Sequence, residues 1–258
     1  MENKDFEINL KQFAKEIIIS GINTGAYGKD LENMNLAKLI EMIMQRTSLY
    51  RLRISSIELM EITEELLEVI KKYETRIARH FHIPAQGGSD SVLERMNRKY
   101  NSQEYINKID KIRNMFGDVA ITTDFLAGFV GETENEFEEA KAFINRIAYS
   151  DMHIFPYSRR KGTKADLMKG HLNPKVQKER ARILLDIAQK MKNDYEQKYI
   201  GKTVEVLVEN QKNGYWRGYT TNYLDVHFLS DDNLENQLIN VEVVKIDNNT
   251  IYGIRKDD

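Results

Sequence analysis

Three glycine-rich stretches stand beside polar side chains: residues 20–28 (SGINTGAYG), 84–90 (PAQGGSD) and 127–133 (AGFVGET). Each follows an apolar run, so each falls where a strand hands over to a helix. At the carboxyl edge of a parallel sheet, such turns can hold a ligand. Glycine lets the backbone approach it, and the next helix offers free N–H groups. Gly25, Gly28, Gly87, Gly88, Gly128 and Gly131 suit that role, with Asn23, Gln86, Ser89 and Glu132 beside them. The same glycines would equally make tight strand-to-helix turns with no ligand.

His80 and His82 lie two apart in an extended run and share a face. With His153 and Asp124 they could hold a hydrolytic metal; alternatively they are hydrogen-bonded structural histidines. Arg51 and Arg53 alternate on another strand, where they can pair with a phosphate or with a neighbouring Glu. Residues 156–192 carry eleven basic side chains against three acids, a net of +8. Arg159, Arg160, Lys161 and Lys164 open that segment, which reads as a phosphate site or a solvated helix face. Near the end, Tyr215, Trp216, Tyr219 and Tyr223 cluster with Lys212 and Arg217. Such aromatics can stack unpaired bases or fill a small core.

The elements that must position these residues alternate. Strands are expected at 16–21, 52–56, 80–84, 119–126 and 153–156. Helices are expected at 35–44, 58–73, 91–98, 102–115 and 133–147, and from 173 onward. Thr133 with Glu136 forms a capping box, and Asn173 before Pro174 caps the last helix. Strand–helix repetition implies a parallel sheet with helices outside. A closed eight-stranded barrel needs about 250 residues, so an open, partial barrel fits residues 1–198 better. From 199 to 258 the segments at 204–208, 216–221, 225–229, 241–244 and 250–253 are short and β-rich. Asn213 and Gly214 mark a hairpin turn. This portion reads as a small all-β barrel.

The 258 residues are 41% hydrophobic and 30% charged, with a net charge of −2. No apolar run approaches a membrane span of roughly 20 residues, and the start lacks a signal-peptide core, so a cytoplasmic location is expected. The small barrel carries six basic residues against ten acids, which argues against strong unaided RNA binding. There is no cysteine. That excludes disulfides, a cysteine nucleophile and any iron–sulfur cluster held by thiolates of these residues.

Together the segments resemble the radical-SAM methylthiotransferases that modify tRNA, of the MiaB type. The likeness is strongest to the branch acting on threonylcarbamoyladenosine beside the anticodon. It is carried in order by GINTGAYG at 21–28, LRISSIE at 52–58, HFHIPAQGGSD at 80–90 with MNR at 96–98, TDFLAGFVGET at 123–133 and FPYSRRKGTKA at 155–165. The tail from Gly201 looks like a TRAM domain, that family's RNA-binding barrel. The resemblance implies an α/β fold, a partial TIM-like radical-SAM barrel followed by a TRAM barrel. It implies S-adenosylmethionine and 4Fe–4S clusters as cofactors of the full-length proteins, and the tRNA anticodon stem-loop as partner. By motif position, Asn23 would face the methionine end of the cofactor. Gln86, Ser89 and Asp90 would lie near its ribose, and Gly128, Gly131 and Glu132 near its adenine. Arg159, Arg160, Lys161 and Lys164 would contact stem phosphates, with Trp216, Arg217 and Tyr219 nearby.

The chain departs from that family in two large ways. Neither the three-cysteine N-terminal domain nor the CxxxCxxC loop is present, and the chain starts in what should be the first barrel helix. Smaller departures are Leu59 and Val130 for Pro, Ala85 for Leu, and Gly87 for Ser, which removes a hydroxyl beside the ribose site. The expectation is a shortened form that holds neither cluster nor cofactor stably and is inactive alone. It should dimerise or aggregate through a newly exposed sheet edge. Two other classes are a non-catalytic RNA-binding module and the histidine-based metal hydrolase.

Overall fold

A computed structural model describes residues 14–256. The helix expected at the chain's start lies outside them. Five parallel strands follow one another: β1 (Glu16–Ile19), β2 (Arg51–Ile54), β3 (His80–His82), β4 (Ala120–Ala127) and β5 (Asp151–Pro156). β1 pairs with β2, and β3, β4 and β5 pair in order. A single parallel bridge, Leu52 to Ile77, joins the two groups. The result is an open barrel: five staves with helices outside.

Each helix forms for a readable local reason. α1 (Leu36–Arg46) starts at Asn35, whose side chain accepts from the Lys38 N–H. The helix expected over 58–73 is shorter. Leu59–Glu61 is a 3₁₀ turn, and α2 (Glu64–Lys72) begins only after Thr63 caps it. α3 (Asp90–Arg95) and α4 (Ser102–Phe116) follow, the latter with a capping box from Asn101 and Glu104. α5 (Glu134–Ile147) has the expected box from Thr133 and Glu136. A four-residue helix, α6 (Lys164–Leu167), interrupts the basic segment. α7 (Pro174–Gln197) opens on Asn173 and runs back antiparallel to the strands, against β4 and β5.

Leu52, Ile40, Leu67, Ile109, Ile121 and Ile144 are fully buried between the sheet and its outer helices. Arg51 and Arg53 alternate with Leu52 and Ile54, so they point to the barrel's interior.

Beyond α7, five strands close a small barrel in the order β10–β8–β7–β6–β9. They are β6 (Thr203–Lys212), β7 (Tyr215–Tyr219), β8 (Asp225–Phe228), β9 (Leu238–Asp247) and β10 (Thr250–Arg255). Asn213 and Gly214 make the β6–β7 turn at φ values of 52° and 83°. The barrel has its own core, with Val206, Val226, Phe228, Val241 and Val243 fully buried.

The barrel docks on the amino-terminal ends of the parallel strands. Arg51 donates to the Tyr219 carbonyl at 3.1 Å, and Arg53 to the Thr220 carbonyl at 3.0 Å. Both guanidinium groups also pair with Glu16 on β1. Of the two partners the sequence allowed for these arginines, the structure shows the glutamate. Tyr199 donates to Asp118 at 2.7 Å just before β4, and Asn222 donates to the Tyr199 hydroxyl at 2.6 Å.

Candidate functional site

The carboxyl ends of the strands carry the glycine turns. There the expected cofactor residues turn to protein partners. The Asn23 amide donates to Glu61 at 2.6 Å. Ser89 donates to Glu139 at 2.7 Å, and Asp90 accepts the Ser102 N–H at 2.7 Å. Glu132 is buried against Arg180 at 2.7 Å and accepts the Gly128 N–H at 3.1 Å. Burial pushes the Glu132 carboxyl up, opposed by Arg180 and that N–H. Gln86 bridges β4 through its backbone, at φ 61°.

Two glycines show why they are glycine. A Cβ on Gly25 would lie 2.2 Å from Glu61 Oε2, and one on Gly128, at φ 74°, would lie 2.8 Å from the Gln177 side chain. Both are sites of close packing between parts of this chain. Gly131, at φ 71°, donates to the Gly170 carbonyl, and a Cβ there meets only Arg95 at 3.9 Å.

The inside of the open barrel is a cavity of about 510 Å³, floored by the β7–β8 loop. A site of this size suits a small ligand or a single base. Ser55, Ser56, His82, Asp124 and His153 line its upper part. His80, Asp151, Lys192, Glu196 and Tyr223 line its lower part.

The histidines form a relay. Thr122 Oγ1 lies 2.8 Å from His80 Nε2 and 2.9 Å from His82 Nδ1. A hydroxyl has one proton, so it donates to one ring and accepts from the other. Asp124 Oδ1, 3.5 Å from His82 Nε2, favours a proton there. Thr122 then donates to His82, His80 Nε2–H donates to Thr122, and His80 Nδ1 remains a bare acceptor. That nitrogen is buried and has no partner. Burial, with Arg53 behind it, pushes His80 down to about 3, so the ring is neutral. His153 Nδ1 meets Asp124 at 3.2 Å. Among the described residues no three His, Asp or Glu side chains are grouped as a metal ion requires.

The residues expected to meet RNA separate into two places. Arg160, Lys161 and Lys164 are exposed in the loop beyond β5, at the carboxyl end of the sheet. Arg159 is there too, paired with Asp166. Arg217, Trp216 and Tyr219 lie in the barrel, which sits at the opposite end. Trp216 is 8% exposed, and its indole N–H donates to the Ser230 carbonyl, so it fills the barrel core. Its expected place on an RNA-facing surface is corrected accordingly. Arg217 is held by both oxygens of Asp225 at 2.7 Å. Tyr219 stacks within 4.8 Å of Tyr223.

Glu196, Lys192, Tyr195 and Asn222 were not read as site residues. Lys192 and Glu196 at helical spacing look like an ordinary surface pair. Only the docking of the barrel against the sheet encloses them.

The Radical SAM superfamily sequence model matches residues 5–144. The chain is 36% identical over 237 residues to the threonylcarbamoyladenosine tRNA methylthiotransferase MtaB of Bacillus subtilis, covering 90% of this chain and 52% of that protein. It is 34% identical to the Thermotoga maritima protein of the same name, covering 100% and 60%. It is 36% identical to the tRNA-2-methylthio-N(6)-dimethylallyladenosine synthase of Fusobacterium nucleatum, covering 97% and 58%. The chain thus spans between half and three-fifths of the length of these curated relatives. The coproporphyrinogen III oxidase of Escherichia coli shares the fold, at a TM-score of 0.54 and 12% identity over 69% of this chain and 41% of that one. Helical staves around an open parallel barrel, glycine turns at its carboxyl rim and the matched sequence agree: the chain belongs to the radical SAM superfamily.

Proposed function

We propose that this chain is the barrel and RNA-contacting portion of a tRNA methylthiotransferase, which adds a methylthio group at C2 of N6-threonylcarbamoyladenosine next to the anticodon. The observation that carries this reading is the similarity to such an enzyme over 100% of this chain, which includes the small β-barrel. In the proposal that barrel is a TRAM domain. The choice of substituent rests on the cavity. Its walls are Ser55, Ser56, Asp124, His153 and Lys192, with few apolar groups among them. They suit the hydroxyl and carboxylate of a threonylcarbamoyl group, whereas a dimethylallyl group would leave them unpaired.

An iron–sulfur cluster does not fit the residues present, because the 258 residues contain no cysteine. No step is therefore routed through one here. In this reading the chain alone cannot supply the electron that splits S-adenosylmethionine. A rim built on Ser89, Asp90 and Glu132 must break the present contacts of those side chains before it meets a cofactor, so affinity for S-adenosylmethionine is low. Arg160, Lys161 and Lys164, exposed at the same rim, supply phosphate contacts to the anticodon stem. β1 is an edge strand among the described residues, with Ile18 53% exposed, and a second copy can pair there.

The test joins the chain to the portion of the Bacillus subtilis relative that it does not span. After anaerobic reconstitution with iron and sulfide, the fusion should form deoxyadenosine and a methylthiolated nucleoside, and the chain alone neither. A non-catalytic RNA-binding role is the second reading, favoured by the cysteine-free composition. It gains if the fusion binds tRNA but transfers no sulfur.

A further inference from the structure

The floor of the cavity has features that the proposed reaction does not use. Tyr223 sits at φ 68°, a left-handed conformation that a bulky side chain rarely adopts. Such a residue persists only where its surroundings fix it, and these residues collect at ligand clamps. Here the fixing is explicit. Tyr223 N–H donates to the Thr220 carbonyl at 3.1 Å, and the loop's carbonyls are held by Arg51 and Arg53. The ring lies near-parallel to His80 at 4.7 Å and to Tyr219 at 4.8 Å, with the Arg53 guanidinium 4.8 Å from its centre. Yet the residue is 46% exposed.

In the same cavity Glu196 is 5% exposed, and its Oε2 has no hydrogen-bond partner. A polar atom buried without a partner is costly, and it marks a place where a ligand would supply one. His80 Nδ1 is a second such atom. An aromatic platform with unpaired polar groups around it is the arrangement that takes up an unstacked base.

We infer that the cavity floor, at the junction of sheet and barrel, binds one unpaired adenine-type nucleobase, stacked against Tyr223 and read along its edge by Glu196. The site lies at the opposite end of the strands from the glycine rim, and so apart from the reaction centre. The inference rests on the proposed RNA-modifying role only for the source of the base.

The edge chemistry is specific. Burial pushes the Glu196 carboxyl up to about 7, with Lys192 opposing and with Asp151 and Asp225 adding to the rise. Lys192 and Tyr195 face it from α7, and Asp151 and His153 from β5. His80, His82 and Asp124 line the cavity from β3 and β4, Arg53 from β2, and Tyr219, Tyr223 and Asp225 from the barrel. A neutral carboxyl offers one donor and one acceptor in one plane, which matches adenine's ring nitrogen and exocyclic amine. The ionised form offers two acceptors and matches the two donors of guanine instead.

Calorimetric titration of the 258-residue chain with AMP and GMP tests this. At about pH 6 AMP should bind at least tenfold more tightly than GMP, and by about pH 8.5 the preference should collapse. Tyr223→Leu should weaken AMP about tenfold. Glu196→Leu should do the same. Glu196→Gln, whose amide keeps one donor and one acceptor, should retain AMP binding and lose its pH dependence. Circular dichroism confirms that each variant is folded. Should Glu196→Leu fail to fold, the flat pH profile of Glu196→Gln carries the test. The proposal is overturned if AMP does not bind at millimolar concentration. It is also overturned if GMP binds as well at about pH 6, or if Tyr223→Leu and Glu196→Gln leave affinity and pH profile unchanged. Loss of this site would leave the methylthiotransferase reading intact, since that reading is scored on the product nucleoside of the fusion.

Discussion

The two ends of the open barrel spend their polar side chains differently. At the carboxyl rim Asn23, Ser89, Asp90 and Glu132 each hold a protein partner. At the amino-terminal end Arg51 and Arg53 are fully committed to holding the small barrel, but His80 Nδ1 and Glu196 Oε2 beside them have no partner. The rim is therefore self-satisfied and the floor is not. The lesson is that residues with ligand-binding types in ligand-binding positions can be consumed by folding. Partnerless groups are created where two separately folded pieces meet.

Breaking the floor should have the largest effect. Glu16 neutralises two guanidinium groups, Arg51 and Arg53, that are 3% and 2% exposed. Glu16→Leu leaves both buried without a counter-charge, and urea denaturation should show a loss of about 3–5 kcal/mol. The rim pair is the matched comparison. Glu132→Leu leaves Arg180 with Glu134, which is well exposed, and should cost about 2–3 kcal/mol. Replacing both Glu132 and Arg180 by Met should restore most of it, because an apolar pair needs no desolvation.

The difference also has a pH signature. Glu196 binds its proton more tightly in the folded chain, with a value of about 7 against a reference of 4.5. Its contribution is fully present below the unfolded value and is lost as pH rises through about 7, so stability falls over that window. The upper bound is roughly 3 kcal/mol at about 1.4 kcal/mol per pH unit. Glu196→Gln should abolish the slope and be the more stable protein above pH 7. His80 acts with the opposite sign. Its value near 3 means that stability falls as pH drops from 6.5 toward 3, because the buried ring must charge. Chemical denaturation across pH should therefore show a maximum near pH 6.

The smallest effect on stability, within about 0.5 kcal/mol, is expected from Arg160→Ala, Lys161→Ala and Lys164→Ala in the exposed loop. The same triple change should weaken tRNA binding and lower its salt dependence by up to about 0.9 log units per lost phosphate contact. Filter binding at several salt concentrations reads this directly.

The fold was largely legible because its signals are local. Asn35, Thr133 and Asn173 cap the helices that follow them, and Asn213 with Gly214 turns the hairpin. The start of α2 was misplaced because Leu59 and Ile62 continue an apolar spacing that Thr63 interrupts only by capping. Trp216 was misread because alternation along β7 does not say which face of a closed barrel is inside. The floor of the cavity was not legible at all. It joins Arg53 to Thr220 and His80 to Tyr223, pairs more than 140 residues apart in sequence, and no periodicity reports such a meeting.

The most direct measurement is mass analysis of tRNA nucleosides after incubation with the reconstituted fusion and S-adenosylmethionine. A gain of one methylthio group on N6-threonylcarbamoyladenosine, with dimethylallyladenosine untouched, is the predicted result. A fusion that forms deoxyadenosine but leaves the threonylcarbamoyl nucleoside unaltered would contradict it.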